Sequence, residues 1–205
     1  MVERNTDDVI LDAAHELLKE HGYRGMTMDE VAARVNLGKG TLYLHFRSKE
    51  DLALSCIDRG NRQVQEKLRT IARSSLCPAE KLEEMLRQRV LLRLKAVAGH
   101  KTGIDDMLQA LREPLRDRRE QYHGAEAHLI AEVLVEGRTL GAFEVEEPYE
   151  TAFALITATN SLQPYSLSPQ ELVEKVGVEQ RIARLAPMLV RSVLRVTLTN
   201  RADVS

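Results

Sequence analysis

The chain of 205 residues has no Trp, only 3 Phe and 5 Tyr, and no more than 6 Pro and 2 Cys. Two cysteines, Cys56 and Cys77, are too few and too far apart for a disulfide scaffold or a zinc site. They read as small, partly buried residues of a reducing cytoplasm. Long apolar runs are missing too, so neither a signal peptide nor a membrane-spanning helix is expected. Strand-type alternation is scarce, which leaves helix as the dominant element. No nucleophile stands beside a base, no Gly-rich loop cradles a phosphate and no HExxH occurs, so no enzyme is expected. No cofactor is expected either. His123 and His128 lie five apart, a poor fit to one helical face, and with His100 and Cys77 they make a weak metal set.

Acidic residues are absent from Val31 to Lys49, whereas Arg34, Lys39, Arg47 and Lys49 all fall inside that stretch. The whole chain is near neutral, with a formal charge of -2, so the basic patch is local rather than general. A local basic footprint fits a reader of one nucleic-acid site better than a general coater of DNA. Helix 1 ahead of it is acidic, with Asp7, Asp8, Asp12, Glu16 and Glu20.

The same stretch has the pattern of two short helices joined by a tight turn. Thr27 with Glu30 forms a capping box, and Val31, Ala32 and Val35 give the first helix its apolar stripe. Asn36 tolerates the left-handed backbone of a sharp turn, and Leu37 plugs the elbow. The second helix opens near Gly38 or Lys39, with Leu42 and Phe46 inward at an i, i+4 interval. Lys39, Gly40, Thr41, Tyr43 and His45 then point outward. Such a helix-turn-helix places its second helix in the major groove. Gly40 permits close approach, Lys39 and Thr41 reach phosphates or base edges, and Tyr43 suits a phosphate or a thymine methyl. Lys49, in the first turn of the next helix, can share a phosphate with free N–H groups, and Thr27 completes the candidate DNA-binding set.

The run Asn36-Leu-Gly-Lys-Gly-Thr-Leu-Tyr-Leu-His-Phe-Arg-Ser-Lys-Glu-Asp-Leu52 resembles the DNA-binding signature of the TetR family of bacterial transcriptional regulators. Ile10 to Ala14 and Gly22-Tyr23 extend the resemblance over about the first third of the chain. It departs at Asn36, where the family usually has Gly, and at Gly38, where it usually has Ser. The resemblance implies an all-α fold with an N-terminal three-helix DNA-binding domain at 4–64, its motif at 27–46. A helical regulatory domain for ligand binding and dimerisation would follow at 65–200. It further implies a ligand-responsive regulator, most readily a repressor released from a palindromic operator by a small molecule, in which the helix after the motif passes ligand binding to the head. A TetR-type activator, and a helical interaction module whose head no longer reads DNA, remain as alternatives.

Downstream, helical periodicity predicts spans from Ser48 to Ser74 or Ser75, Ala79 to Val97, Asp105 to Arg112, and onward to about Glu136. Further helices are expected at Tyr149 to Leu162, from Ser168 to Val176, and from Val178 to Leu198. Gly99 to Gly103 and Gly137 to Phe143 read as breaks, and Arg201 to Ser205 as a loose tail. A pocket between Pro78 and Phe153 is expected to be walled by Met85, Met107, Leu111, Tyr122 and Phe153, with Leu108 and Leu129. The partners implied are a double-stranded DNA operator, a small-molecule effector and a second copy, the last because one motif reads too few base pairs alone.

Overall fold

The computed structural model describes residues 5–97 and 104–195. Gly99 to Gly103 with His100, the first four residues and the tail from 196 onward lie outside them. Ten α-helices make up the described chain: α1 (Thr6–Gly25), α2 (Met28–Arg34), α3 (Lys39–His45), α4 (Lys49–Ala72), α5 (Pro78–Val97), α6 (Ile104–Ala110), α7 (Arg112–Thr139), α8 (Pro148–Thr159), α9 (Pro169–Val173) and α10 (Lys175–Arg191). Two single 3-10 turns, Asn160–Leu162 and Pro164–Ser166, bridge α8 and α9. The fold is all-α, as the sparse strand patterning implies; the described residues pair in β fashion only at the isolated bridge Phe143–Leu194.

Local signals account for most boundaries. The capping boxes at Thr27–Glu30 and Ser168–Glu171 both form and open α2 and α9. Ser48 accepts the N–H of Asp51 and opens α4. Gly22, with φ of 70°, breaks the helical path of α1 near where the sequence places its stop, and one further turn follows the kink to Gly25. Asn36 takes the left-handed turn with φ of 53°.

Several ends differ from the periodicity: α8 stops at Thr159 rather than Leu162, α9 stops at Val173 rather than Val176, and α10 opens at Lys175 rather than Val178. The last helix stops at Arg191 rather than at Leu198, because the chain turns there and runs back beside 142–144: the Glu144 N–H donates to the Val193 carbonyl and the Arg195 N–H to the Ala142 carbonyl. Val193 is buried in this return, so an apolar position that looks helical serves a different backbone. Helix α7 in turn passes through Gly137 to Thr139, where a break after Glu136 was expected. Gly137 is there to let the buried Phe143 ring lie on the helix, since a Cβ would sit 2.1 Å from that ring.

Two apolar cores result. The head core gathers Ile10, Leu17, Met26, Val31, Leu42 and Leu52 from α1 to α4, and the body core gathers Leu68, Met85, Leu86, Ile130, Ile156 and Ile182. Helix α4 serves both, with Leu52, Ala53 and Leu54 in the first and Val64, Leu68 and Ile71 in the second. Met107, Leu111 and Leu115 come from the segment that the sequence assigns to the regulatory domain, yet they complete the head core.

The body also encloses charge. Arg89 and Glu126 are fully buried and paired at 2.9 Å. Arg89 donates as well to the Ile156 carbonyl and to the Thr159 and Asn160 side chains. Glu126 also takes Arg93, which donates from Nε at 3.1 Å to Asn61 of α4. A polar chain therefore runs from α8 through α5 and α7 to α4. Burial pushes the Glu126 carboxyl up, but Arg93 and Arg89 more than reverse that and hold it at about 2. Nearby His123, its Nε2 3.4 Å from the Tyr165 hydroxyl, is held down at about 4 by burial and by the charge of Arg89.

These features predict an acid-sensitive body. His123 stays neutral in the fold, so stability present above pH 6.5 is lost as the pH falls toward 4, the unfolded chain taking the proton first. Glu126 adds a second loss as the pH falls from 4.5 toward 2. Urea unfolding across the acid range should show both steps, and His123→Gln should remove the upper one alone. A second prediction concerns two of the helical glycines, Gly137 and Gly60. Gly137→Ala should destabilise by about 1–3 kcal/mol through overpacking against Phe143. Gly60→Ala, where a Cβ meets nothing within 4 Å, should stabilise by about 0.5–1 kcal/mol, both read by denaturant midpoint.

Candidate nucleic-acid interface

Helix α3 is short because its ends are set by neighbours rather than by its own propensity. Gly38 caps it without a side-chain hydrogen bond, and Phe46 ends it in extended backbone while burying its ring in the head core. Leu42 is the one residue of α3 that is buried. Leu37 packs against the same core, and its N–H bonds the Ala32 carbonyl at 3.0 Å, which clamps the elbow. The rest of α3 faces outward.

The sequence-derived DNA-binding residues divide into two groups. Gly40, Thr41 and Tyr43 are exposed on α3, and a Cβ at Gly40 would meet nothing within 4 Å, leaving the backbone there open to close approach. The others are held by the head itself. Thr27 is engaged in its capping box with Glu30. The Lys39 ammonium stands 2.8 Å from Asp29, so a phosphate has to compete with that carboxylate. Lys49 lies 4.8 Å from the Tyr23 ring centroid and donates to the Arg24 carbonyl at 3.4 Å. His45 turns to α1, where its Nδ1 is 2.6 Å from the Asp7 carboxylate.

One exposed residue was missed. Leu44 is 86% exposed, in the middle of the presented face. The signal was available: Leu42 and Phe46 point inward, and a residue two positions from each lies on the opposite side of the helix. An apolar side chain held in water there has a surface suited to a thymine methyl in a major groove.

The acidic residues of α1 brace the head. Asp7 holds His45, Glu20 holds Arg34 in a two-bond pair at 2.8 and 3.1 Å, and Asp12 holds Arg59 at 2.8 Å. Each pair is exposed enough to contribute only modestly to stability. Together they orient the ends of α2 and α3 and the middle of α4 around one helix.

The residues expected to wall an effector pocket do not come together. Met85 and Leu129 lie in the body core, whereas Met107 and Leu111, with Leu108 at the edge, belong to the head core. Phe153 is 40% exposed on α8. Tyr122 borders a cleft between α4 and α7, where its hydroxyl donates to Asp58 beside Arg118. Among the described residues no cluster of His, Cys, Asp or Glu is placed to hold a metal ion. No helix among them is long and apolar enough to cross a membrane.

Comparison with known proteins meets this geometry at the same residues. The model of the bacterial regulatory proteins of the tetR family matches residues 10–56, which run from α1 through the start of α4. The fatty acid metabolism regulator protein of Bacillus subtilis is 32% identical over 73 residues, 36% of this chain and 38% of that protein. The biofilm operon negative transcriptional regulator IcaR of Staphylococcus aureus is 47% identical over 45 residues, 22% of this chain and 24% of that one. These matches thus span well under half the length of either relative. The fold reaches further. A transcriptional regulator of Cytophaga hutchinsonii superposes with a TM-score of 0.74 over 92% of this chain and 98% of its own, at 18% identity. FadR of Bacillus subtilis, solved with stearoyl-CoA, gives 0.61 over 91% and 98%, also at 18% identity. Residues 10–56 of this chain therefore match the tetR family of bacterial regulatory proteins, and the described chain shares the fold of solved transcriptional regulators.

Proposed function

We propose that this protein is a ligand-responsive transcriptional regulator that binds a palindromic operator as a twofold dimer and leaves it when a small molecule occupies the body. The observation that carries the reading is α3 itself: a helix with one buried residue, its outer face occupied by Gly40, Thr41, Tyr43 and Leu44. Such a surface has no use in the head core and fits a major groove. Repression is the sign we favour, in line with the negative regulator among the relatives. The division of labour follows the cores, with DNA reading in the head and effector sensing in the body. A chain of this kind works in the cytoplasm.

Dimerisation is supported by the outer faces of α8 and α10. Tyr149 and Phe153 on α8 and Met188 on α10 are large apolar residues left in solvent by the single chain. Two such pairs of helices from two copies would form a four-helix interface. The interaction-module alternative keeps Gly38, which leaves α3 without a side-chain cap, but the acidic side chains Asp7, Asp12 and Glu20 are engaged within the head and speak for it less.

Selection of bound DNA from a random pool at ~150 mM salt tests this reading, since nonspecific phosphate binding is suppressed there. A twofold-symmetric motif is expected; a pool that stays random would sink the proposal. On the selected site, Tyr43→Ala and Leu44→Ala should each weaken binding by roughly 5- to 150-fold, the equivalent of about 1–3 kcal/mol. Leu44→Ala should also erase the penalty for replacing one thymine by deoxyuridine, which lacks the methyl group. Fluorescence anisotropy at fixed salt reads both.

A further inference from the structure

Helices α4 and α7 pack along a seam that is apolar at its ends. Leu52 and Leu54 lie in the head core, and Val64, Leu68 and Ile71 lie in the body core. Between them the pattern is interrupted. Asp58, Asn61, Arg62 and Gln65 on α4 face Arg118, Gln121 and Tyr122 on α7 across a cleft of about 470 Å³. The spacings i, i+3, i+4 and i+7 put each set on one helical face, with Asn61 buried at the floor and Arg62 and Gln121 exposed at the rim. The volume falls in the range of roughly 300–1,000 Å³ found for small-molecule sites.

Charge and hydrogen bonding specify the occupant. The cleft has one carboxylate against two guanidiniums. Asp58 is spent on Arg118 and on the Tyr122 hydroxyl. Arg62, Gln65 and Gln121 have no hydrogen-bond or ion-pair partner among the described residues. A guanidinium forks onto carboxylate or phosphate oxygens, and the two amides supply further donors.

We propose that the cleft between α4 and α7 binds a small anionic effector, a carboxylate or phosphate compound, through Arg62 and Arg118 with Gln65 and Gln121 donating beside them. Its anionic group competes with Asp58 for Arg118 and loosens the tie between the two helices. Asn61 lines the same cleft and accepts from Arg93, so occupancy also reaches the buried Arg93–Glu126–Arg89 chain. Helix α4 carries the consequence to the head, because Leu52, Ala53 and Leu54 are part of the head core. Only this regulatory consequence rests on the function proposed above.

The test uses the full chain with citrate and inorganic pyrophosphate as probes, at constant ionic strength, followed by calorimetry and thermal shift. Saturable binding of either is expected, and the probe that binds tells carboxylate from phosphate. Arg62→Gln should weaken it at least ~10-fold, as loss of a charged hydrogen bond implies, while Arg73→Gln at the far end of α4 leaves it unchanged. A response that never saturates, or that is equal in all three proteins, would overturn the site. Operator affinity is measured in parallel: a chain that binds a probe in the Arg62-dependent way but selects no DNA refutes the regulator while the site stands.

Discussion

Helix α4 belongs to two cores at once, and that constraint organises the rest of the molecule. Its first turns are buried among α1, α2 and α3, and its last turns among the helices of the body. A packed helix does not stretch, so a shift of its far end relative to α7 is delivered to the head as a rigid displacement. Met107, Leu111 and Leu115 reinforce the coupling from the other side by inserting the α6–α7 corner into the head core. Arg24 of α1 and Asp106 of α6 add a surface contact at 3.2 Å. The head is therefore held at two places, and its orientation is a property of the body.

The buried charges make sense in that light. A fully buried Arg89–Glu126 pair is a poor source of stability, since desolvation offsets much of the attraction. What the pair does is fix geometry. Glu126 has room for Arg89 and Arg93 only when α5 and α7 are in one register, and Arg93 in turn reaches Asn61 on α4. Apolar packing alone tolerates sliding of one helix past another, whereas directional bonds do not. The polar seam between α4 and α7 lies next to this chain and shares Asn61 with it, which places an open cleft of the α4 interface beside directional hydrogen bonds.

Much of this was legible in the chain itself, for local reasons. Capping boxes at Thr27 and Ser168, the left-handed turn at Asn36 and the inward pair Leu42 and Phe46 depend on neighbours within a few residues, so the sequence states them directly. Partners distant in sequence were not legible. Nothing near His45 announces Asp7, and nothing near Met107 announces the head. Periodicity marks a face as apolar without naming what covers it. That is why Met85, Met107, Leu111 and Phe153 looked like one wall and lie in three different places. The apolar residues after Arg191 misled for a related reason: Val193 is buried, but in a backbone that returns along Ala142 and Glu144. Exposed Leu44 went unread because apolar residues invite a core assignment, although its position opposite Leu42 argues against one.

The central claim is that two recognition helices are presented at a spacing set by a dimeric body. Spin labels at an Arg47→Cys position test it most directly, in a chain with exposed Cys77 changed to Ser. Cys56 stays, its thiol pushed up to about 12 by burial and so unreactive. With selected operator bound, pulsed electron resonance should give one narrow distance close to the half-site spacing of roughly 34–36 Å. Without DNA the distribution should broaden around a value the body permits. Absence of any distance between labels, with DNA bound, would mean that a single head occupies the site and would contradict the account.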